Sequence, residues 1–158
     1  MHVDIAVIGG GPGGSAAAIA AARAGLRVVL LEKGAYGRDK VCGDGLTPRA
    51  IAALDELRID YSVAHRIDGL RMIAGKTQRE LSWPTTERFP NHGAVWPRQK
   101  FDNHLLDVAI ASGAQVRFES EALPECEGER VIGVRVGSEV IHASLAVSYT
   151  HLTLPTKA

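Results

Sequence analysis

Apolar and polar positions follow two rhythms along this chain, and the first third carries the clearer one. Val3-Asp4-Ile5-Ala6-Val7-Ile8 is a short apolar run, the pattern of a strand in a parallel sheet covered on both faces. Gly9-Gly10-Gly11-Pro12-Gly13-Gly14 then turns the chain, and Ser15 to Ala24 follows as a helix almost without bulky side chains. Gly25 stands where a left-handed residue would end that helix. A second apolar strand runs from Arg27 to Leu31 and stops at Glu32.

Further along, Thr47 and Pro48 supply an N-cap and a first helical residue for a helix reaching about Leu57. Gly69 to Ala74 and Gln78 to Trp83 pair as a hairpin around Gly75-Lys76-Thr77. Phe101, Leu105, Leu106 and Ala109 recur at helical spacing within a helix from Gln99 to Ser112, closed by Gly113, and are core positions. Val116 to Phe118 is a strand returning to the parallel sheet. Val131 to Val136 and Glu139 to Ala146 form a meander around Gly137-Ser138. Trp83-Pro84 and Trp96-Pro97 mark strand ends beside turns.

Composition narrows the function class. Of 158 residues, 46% are hydrophobic and 23% charged, which places the chain among globular domains and not disordered segments. Lys+Arg and Asp+Glu are both 18, and without basic runs there is no electrostatic footprint for nucleic acid. Cys42 and Cys126 are too few for a disulfide scaffold, and the six histidines form no metal-spaced pair. His65, His92 and His104 are assigned structural or exposed places. Val3–Ile8 lacks the basic flank of a signal peptide, and Ala16 to Ala24 is too short to span a bilayer. The expectation is a cytoplasmic location, with peripheral membrane contact left open.

Strand, glycine turn, helix, strand, acid is the order of a dinucleotide-binding βαβ unit, so the fold class expected is α/β, Rossmann-like. Gly9 permits the tight turn, Gly11 leaves the main chain open to a diphosphate, and Gly14 lets helix and sheet approach. N–H groups of the first helical turn would meet that diphosphate with the positive end of the helix dipole. Glu32 lies where the acid of the fingerprint accepts from the adenosine ribose. A 2′-phosphate about 4 Å from that carboxylate would be repelled by about 4 kcal/mol at an effective dielectric near 20, which disfavours NADP. A glycine turn that merely tightens a βα corner leaves Glu32 unexplained. The glycine loop alone does not choose between FAD and NAD.

The polar loop after the second strand is more specific. Glu32-Lys33-Gly34 and Arg38-Asp39-Lys40-Val41-Cys42-Gly43-Asp44-Gly45-Leu46-Thr47-Pro48-Arg49-Ala50 closely resemble the geranylgeranyl reductase family of FAD-dependent oxidoreductases, which has the p-hydroxybenzoate hydroxylase-like fold. The likeness continues through Gly69-Leu70-Arg71-Met72, Trp83-Pro84 and Arg98 to Leu105, and covers nearly everything up to Val147. It is nearest to actinobacterial members that reduce an isoprenoid double bond of menaquinone.

That resemblance implies FAD as cofactor, with NAD(P)H or another donor as reductant, and a polyprenyl or quinone small molecule as substrate. Gly9, Gly11, Pro12, Gly13, Gly14 and Ser15 would cradle the pyrophosphate, with Glu32 and Lys33 on the adenosine side. Cys42, Gly43, Asp44 and Gly45 would border the flavin, with Cys42 on the substrate side as the catalytic candidate; alone, Cys42 reads equally as a small buried side chain. Arg98 would contact the diphosphate or ribitol, against the plain reading of a surface arginine opening a helix. A main-chain group at Ala122 would meet the adenine. Residues 65–97 would begin an inserted substrate-binding β layer of the FAD-binding domain, itself assigned to 1–146. The rival readings are an aromatic-ring monooxygenase on the same fold and a non-catalytic nucleotide-binding fragment.

The tail departs from the family, where an Ala-Asp-Gly motif is expected next. Val147 to Thr156 can be encoded by GTC TCT TAT ACA CAT CTG ACG CTG CCG ACG, a transposase-based sequencing adapter. Residues 147–158 are therefore expected to be non-native and the coding sequence interrupted, against a genuine Thr/Tyr-rich strand.

Overall fold

The computed structural model describes residues 1–148. In chain order the elements are β1 (His2–Ile8), α1 (Pro12–Arg23), β2 (Val28–Leu31), β3 (Gly45–Leu46), α2 (Pro48–Glu56), β4 (His65–Ile67), β5 (Gly69–Ala74), β6 (Thr77–Ser82), β7 (Gly93–Val95), α3 (Arg98–Ala111), β8 (Gln115–Arg117), β9 (Ala122–Glu127), β10 (Arg130–Val136) and β11 (Glu139–Ser148). They divide into two compact units: Met1–Arg38 with Asp102 onward, and Asp39–Phe101.

The first unit is built on a six-stranded sheet of order β8-β2-β1-β11-β10-β9. β8, β2, β1 and β11 run parallel, while β10 and β9 are antiparallel additions at the far side. All four residues of β2 are buried, as the unbroken Val-Val-Leu-Leu run requires of a strand covered on both faces. From β1 the chain moves through α1 to β2 on one side, and β11 later joins β1 on the other. The carboxyl end of β1 therefore lies at a topological switch point, where open α/β sheets bind their ligands.

The sheet's core includes Val3, Ala6, Ile8, Val29, Leu31, Ala122, Val134, Ile141 and Ala143. Each large aliphatic side chain buried there contributes about 1.5–3 kcal/mol over the exposed state. Small residues on α1 permit close packing: Ser15, Ala18 and Ala21 are buried, and a Cβ added at Gly14 would run into the Gly9 carbonyl oxygen. Gly25 closes the helix at φ +81°, as expected.

Several boundaries differ from the sequence-based ones. α1 starts at Pro12, earlier than Ser15, because proline is pre-organised for a first helical position and needs no N–H partner there. β9 was not expected, since Pro124 lies inside it; the strand is at the sheet edge, where a missing donor is tolerated. β11 extends the meander strand into parallel pairing with β1, Val147 opposite Val7 and Ser148 opposite Ile8. The remainder of the adapter assignment, 149–158, lies outside the described residues.

In the second unit β3, β7 and β4 form a small antiparallel sheet in that order, and β5 and β6 form a separate hairpin. Thr47 caps α2, its Oγ1 accepting from the Ala50 N–H at 3.4 Å, and Ile51 and Leu54 are buried. The hairpin turn narrows to Gly75-Lys76, with Gly75 at φ +58°. Among the described residues no helix is long and apolar enough to cross a membrane.

Candidate functional site

The glycine loop lies at the carboxyl end of β1. Gly9 adopts φ +100°, closed to most L side chains, and its N–H donates to the Leu31 carbonyl at 2.8 Å. Gly11 is the N-cap of α1, and no side chain caps the helix. Among the described residues, a Cβ at Gly11 or Gly13 would meet no atom within 4 Å. Uncapped amides at a helix N-terminus beside open space are what an anionic diphosphate requires. Ser15 is fully buried and its Oγ donates to the Gly10 carbonyl at 3.3 Å, so its side chain braces the loop from within.

Glu32 is 3% exposed. Its Oε2 accepts from the Gly10 N–H at 2.6 Å; its Oε1 accepts from the Gly34 N–H at 2.8 Å and from Arg38 Nε at 3.0 Å. Arg38 also reaches Asp102, Nη2 to Oδ2 at 3.6 Å, and Asp102 is itself 3% exposed. Glu32 is thus not the bare carboxylate of the sequence argument. Two carboxylates share one guanidinium, which reduces but does not cancel the repulsion of a 2′-phosphate.

Lys33 is exposed. Main-chain bonds from Ser120 to the Glu32 carbonyl, 2.9 Å, and from Glu119 to the Gly34 carbonyl, 3.1 Å, tie the approach to β9 beside the acid. Ala122 follows two residues on, its side chain in the core and its backbone paired with Val136.

The second unit carries the other group of candidates. Cys42, Gly43 and Gly45 are exposed, which removes the buried-thiol alternative. Asp44 has φ +56°, a left-handed conformation that aspartate tolerates better than most residues. Its Oδ1 accepts from the Arg98 N–H at 2.9 Å, and its carbonyl from the Trp96 N–H at 2.9 Å. Asp44 therefore caps the start of α3. The Arg98 guanidinium hydrogen-bonds the Cys42 thiol, and with the N–H groups of Asp44 and Gly43 holds it below the ordinary thiol range. A cation beside an exposed thiol with glycines around it leaves main chain and sulfur accessible to a flat ligand.

The glycine loop and Glu32 belong to the first unit; Cys42, Gly43, Asp44, Gly45 and Arg98 belong to the second. Sequence reasoning missed Gly10, Arg38 and Asp102. Gly10 occupies an unspecified position of the fingerprint, and a Cβ there would lie 3.1 Å from Glu32 Oε2. A lone arginine six positions past an acid carries no periodic signal, and neither does a single aspartate in a helix.

A family model described as an FAD binding domain matches residues 2–144. The chain belongs to this family. Its cofactor is FAD, and the open glycine turn, the uncapped helix and the buried acid fit the ADP half of that molecule. The chain is 41% identical over 122 residues to the menaquinone reductase of Mycobacterium tuberculosis, covering 76% of this chain and 30% of that protein. It is 34% identical over 146 residues to the digeranylgeranylglycerophospholipid reductase of Picrophilus torridus, covering 89% of this chain and 36% of that protein. The fold is similar to that of a geranylgeranyl bacteriochlorophyll reductase-like protein of Thermoplasma acidophilum, with TM-score 0.73 and 31% identity over 93% of this chain and 38% of that one. The relationship to geranylgeranyl-type reductases drawn from the Cys42–Ala50 motif stands. The chain spans about a third of its curated relatives' length.

Proposed function

We propose that the protein to which this chain belongs reduces carbon–carbon double bonds in the isoprenoid portion of a menaquinone-type or geranylgeranyl lipid. The observation that carries the reading is the pairing of Cys42 and Arg98 in the Cys42-Gly43-Asp44-Gly45 loop, in a chain related to reductases named for such lipids. When bound and reduced, FAD supplies the hydride.

This chain's residues bind and orient. The amides at the start of α1 hold the diphosphate, Glu32 accepts from the ribose, and Cys42 through Gly45 line the flavin side with Arg98. Ala122 supplies main chain on the adenine side, and residues 65–97 begin the layer that excludes water from the substrate. The substrate is apolar, so the protein's contribution is alignment of the double bond in a water-poor pocket and not acid–base activation of a polar group. Peripheral contact with a membrane surface would give access to a lipid substrate. Residues 147–158 are read as adapter-derived.

The test uses a protein of the relatives' length with this chain as its N-terminal third. Incubated anaerobically with reduced FAD and menaquinone or a geranylgeranyl lipid, it is expected to yield a product two mass units heavier. Hydroxylation of an aromatic substrate in air, with no isoprenoid reduction, would assign it to the monooxygenases instead.

A further inference from the structure

We infer that Arg38, held by Asp102, is the positioning residue of the ribose site, and that the ribose selectivity of this chain depends on it as much as on Glu32. The inference rests on Glu32 as the ribose acceptor.

A carboxylate offers about four acceptor positions on its two oxygens. Among the described residues three donors fill Glu32: Gly34 N–H and Arg38 Nε–H on Oε1, Gly10 N–H on Oε2. One position remains, on Oε2, the oxygen nearer the glycine loop. A ribose hydroxyl donating to Glu32 therefore has a single place to go, and the carboxylate's rotation decides whether that place faces the nucleotide. Gly10 alone does not fix the rotation, because one hydrogen bond leaves the group free to turn about it. The donors on Oε1 fix it, and among the described residues Arg38 is the one that reaches it with a side chain.

The surroundings are built to hold that arginine. A Cβ at Gly34 would lie 2.5 Å from Arg38 Cδ and 3.2 Å from Glu32 Oε1, so the arginine crosses over a glycine that leaves it room. Asp102 comes from α3, far away in sequence, and approaches the terminal nitrogen while Nε faces Glu32. The planar guanidinium thus spans two carboxylates that are each almost completely buried. An ammonium at the end of a lysine, without a donor at the Nε position, does not reproduce that span.

The experiment compares ADP with 2′-deoxy-ADP on the full chain, following main-chain amide resonances by NMR, which reads weak affinities. A hydroxyl donating to a charged acceptor gives the parent chain about tenfold preference for ADP. Arg38→Met is expected to reduce that preference to less than about threefold while changing 2′-deoxy-ADP affinity by less than about twofold. A residue that merely supports the fold would weaken both ligands together, and equal weakening with an intact tenfold preference would overturn the inference. Arg38→Lys keeps the charge and is expected to fold even if Arg38→Met does not; parental preference in that variant would also overturn it.

Glu32→Gln separates the two claims. If it leaves the preference intact, Glu32 is not the ribose acceptor and the underlying reading fails. If it abolishes the preference while the Arg38 variants retain it, only the positioning role fails. If ADP perturbs no amide between Gly11 and Ser15, the diphosphate cradle fails and the inference falls with it.

Discussion

The carboxylate of Asp44 accepts a hydrogen bond from the main-chain N–H of Arg98 at 2.9 Å, across 54 residues of sequence. A loop residue in a left-handed conformation is thereby tied to the first turn of α3, whose leading side chain polarises Cys42. Replacing Asp44 by Ala removes the cap and places a less tolerant residue at positive φ, and is expected to cost about 1–2 kcal/mol. Asp44→Asn keeps both features and should lose less than about half of that. Denaturant unfolding of the two variants checks the order.

The pairing of Cys42 with Arg98 has a pH signature. The guanidinium stabilises the thiolate, so the proton leaves at a lower pH than from an ordinary cysteine. For a group whose folded value is depressed, the stabilisation is present above the unfolded value and is lost as pH falls through the folded one. Alkylation of Cys42 in a Cys126→Ser background is therefore expected to become fast at lower pH than in the same protein carrying Arg98→Gln. Coincident pH profiles would remove the contact.

At the opposite end of β1, Arg27 donates to Asp4 through Nε, Nη2 and its main-chain N–H, and the Asp4 pKa falls to about 2. The sign is again that of a depressed acid: stability contributed by the pair is present near neutrality and lost as pH falls through about 2. A carboxyl NMR titration is expected to give a midpoint near that value, and Arg27→Gln should move it up toward the ordinary aspartate range.

The glycines separate fold from function. Gly14→Ala drives a Cβ into the Gly9 carbonyl and is expected to destabilise the chain by about 1–3 kcal/mol. Gly13→Ala meets no atom of the described residues within 4 Å and should leave stability within about 0.5 kcal/mol of the parent, as thermal unfolding would show.

The βαβ unit was legible because period, turn chemistry and acid all agree over one short stretch, Val3 to Glu32. The hairpin, Thr47 cap and Phe101–Ala109 stripe were legible for the same reason. β3, β4 and β7 were not: each has two or three residues, too few to show alternation, and main-chain pairing with a distant partner holds them. β9 was hidden by Pro124. In the site, Gly9, Gly11, Gly14 and Glu32 could be named because the fingerprint fixes their spacing. Arg38 and Asp102 could not, because what joins them is three-dimensional: a loop arginine and a helix residue meet only once the sheet brings α3 beside the acid.

The account depends most on main-chain amides at the start of α1 binding a diphosphate. Titrating ADP into the chain and into Gly11→Val, with amide resonances followed at Gly13, Gly14 and Ser15, tests it directly. Gly11 is in extended backbone that valine adopts, and its Cβ position is open, so the variant should fold. The expected result is perturbation of those amides in the parent and at least about tenfold weaker binding in the variant. Equal affinity in both chains would contradict the account.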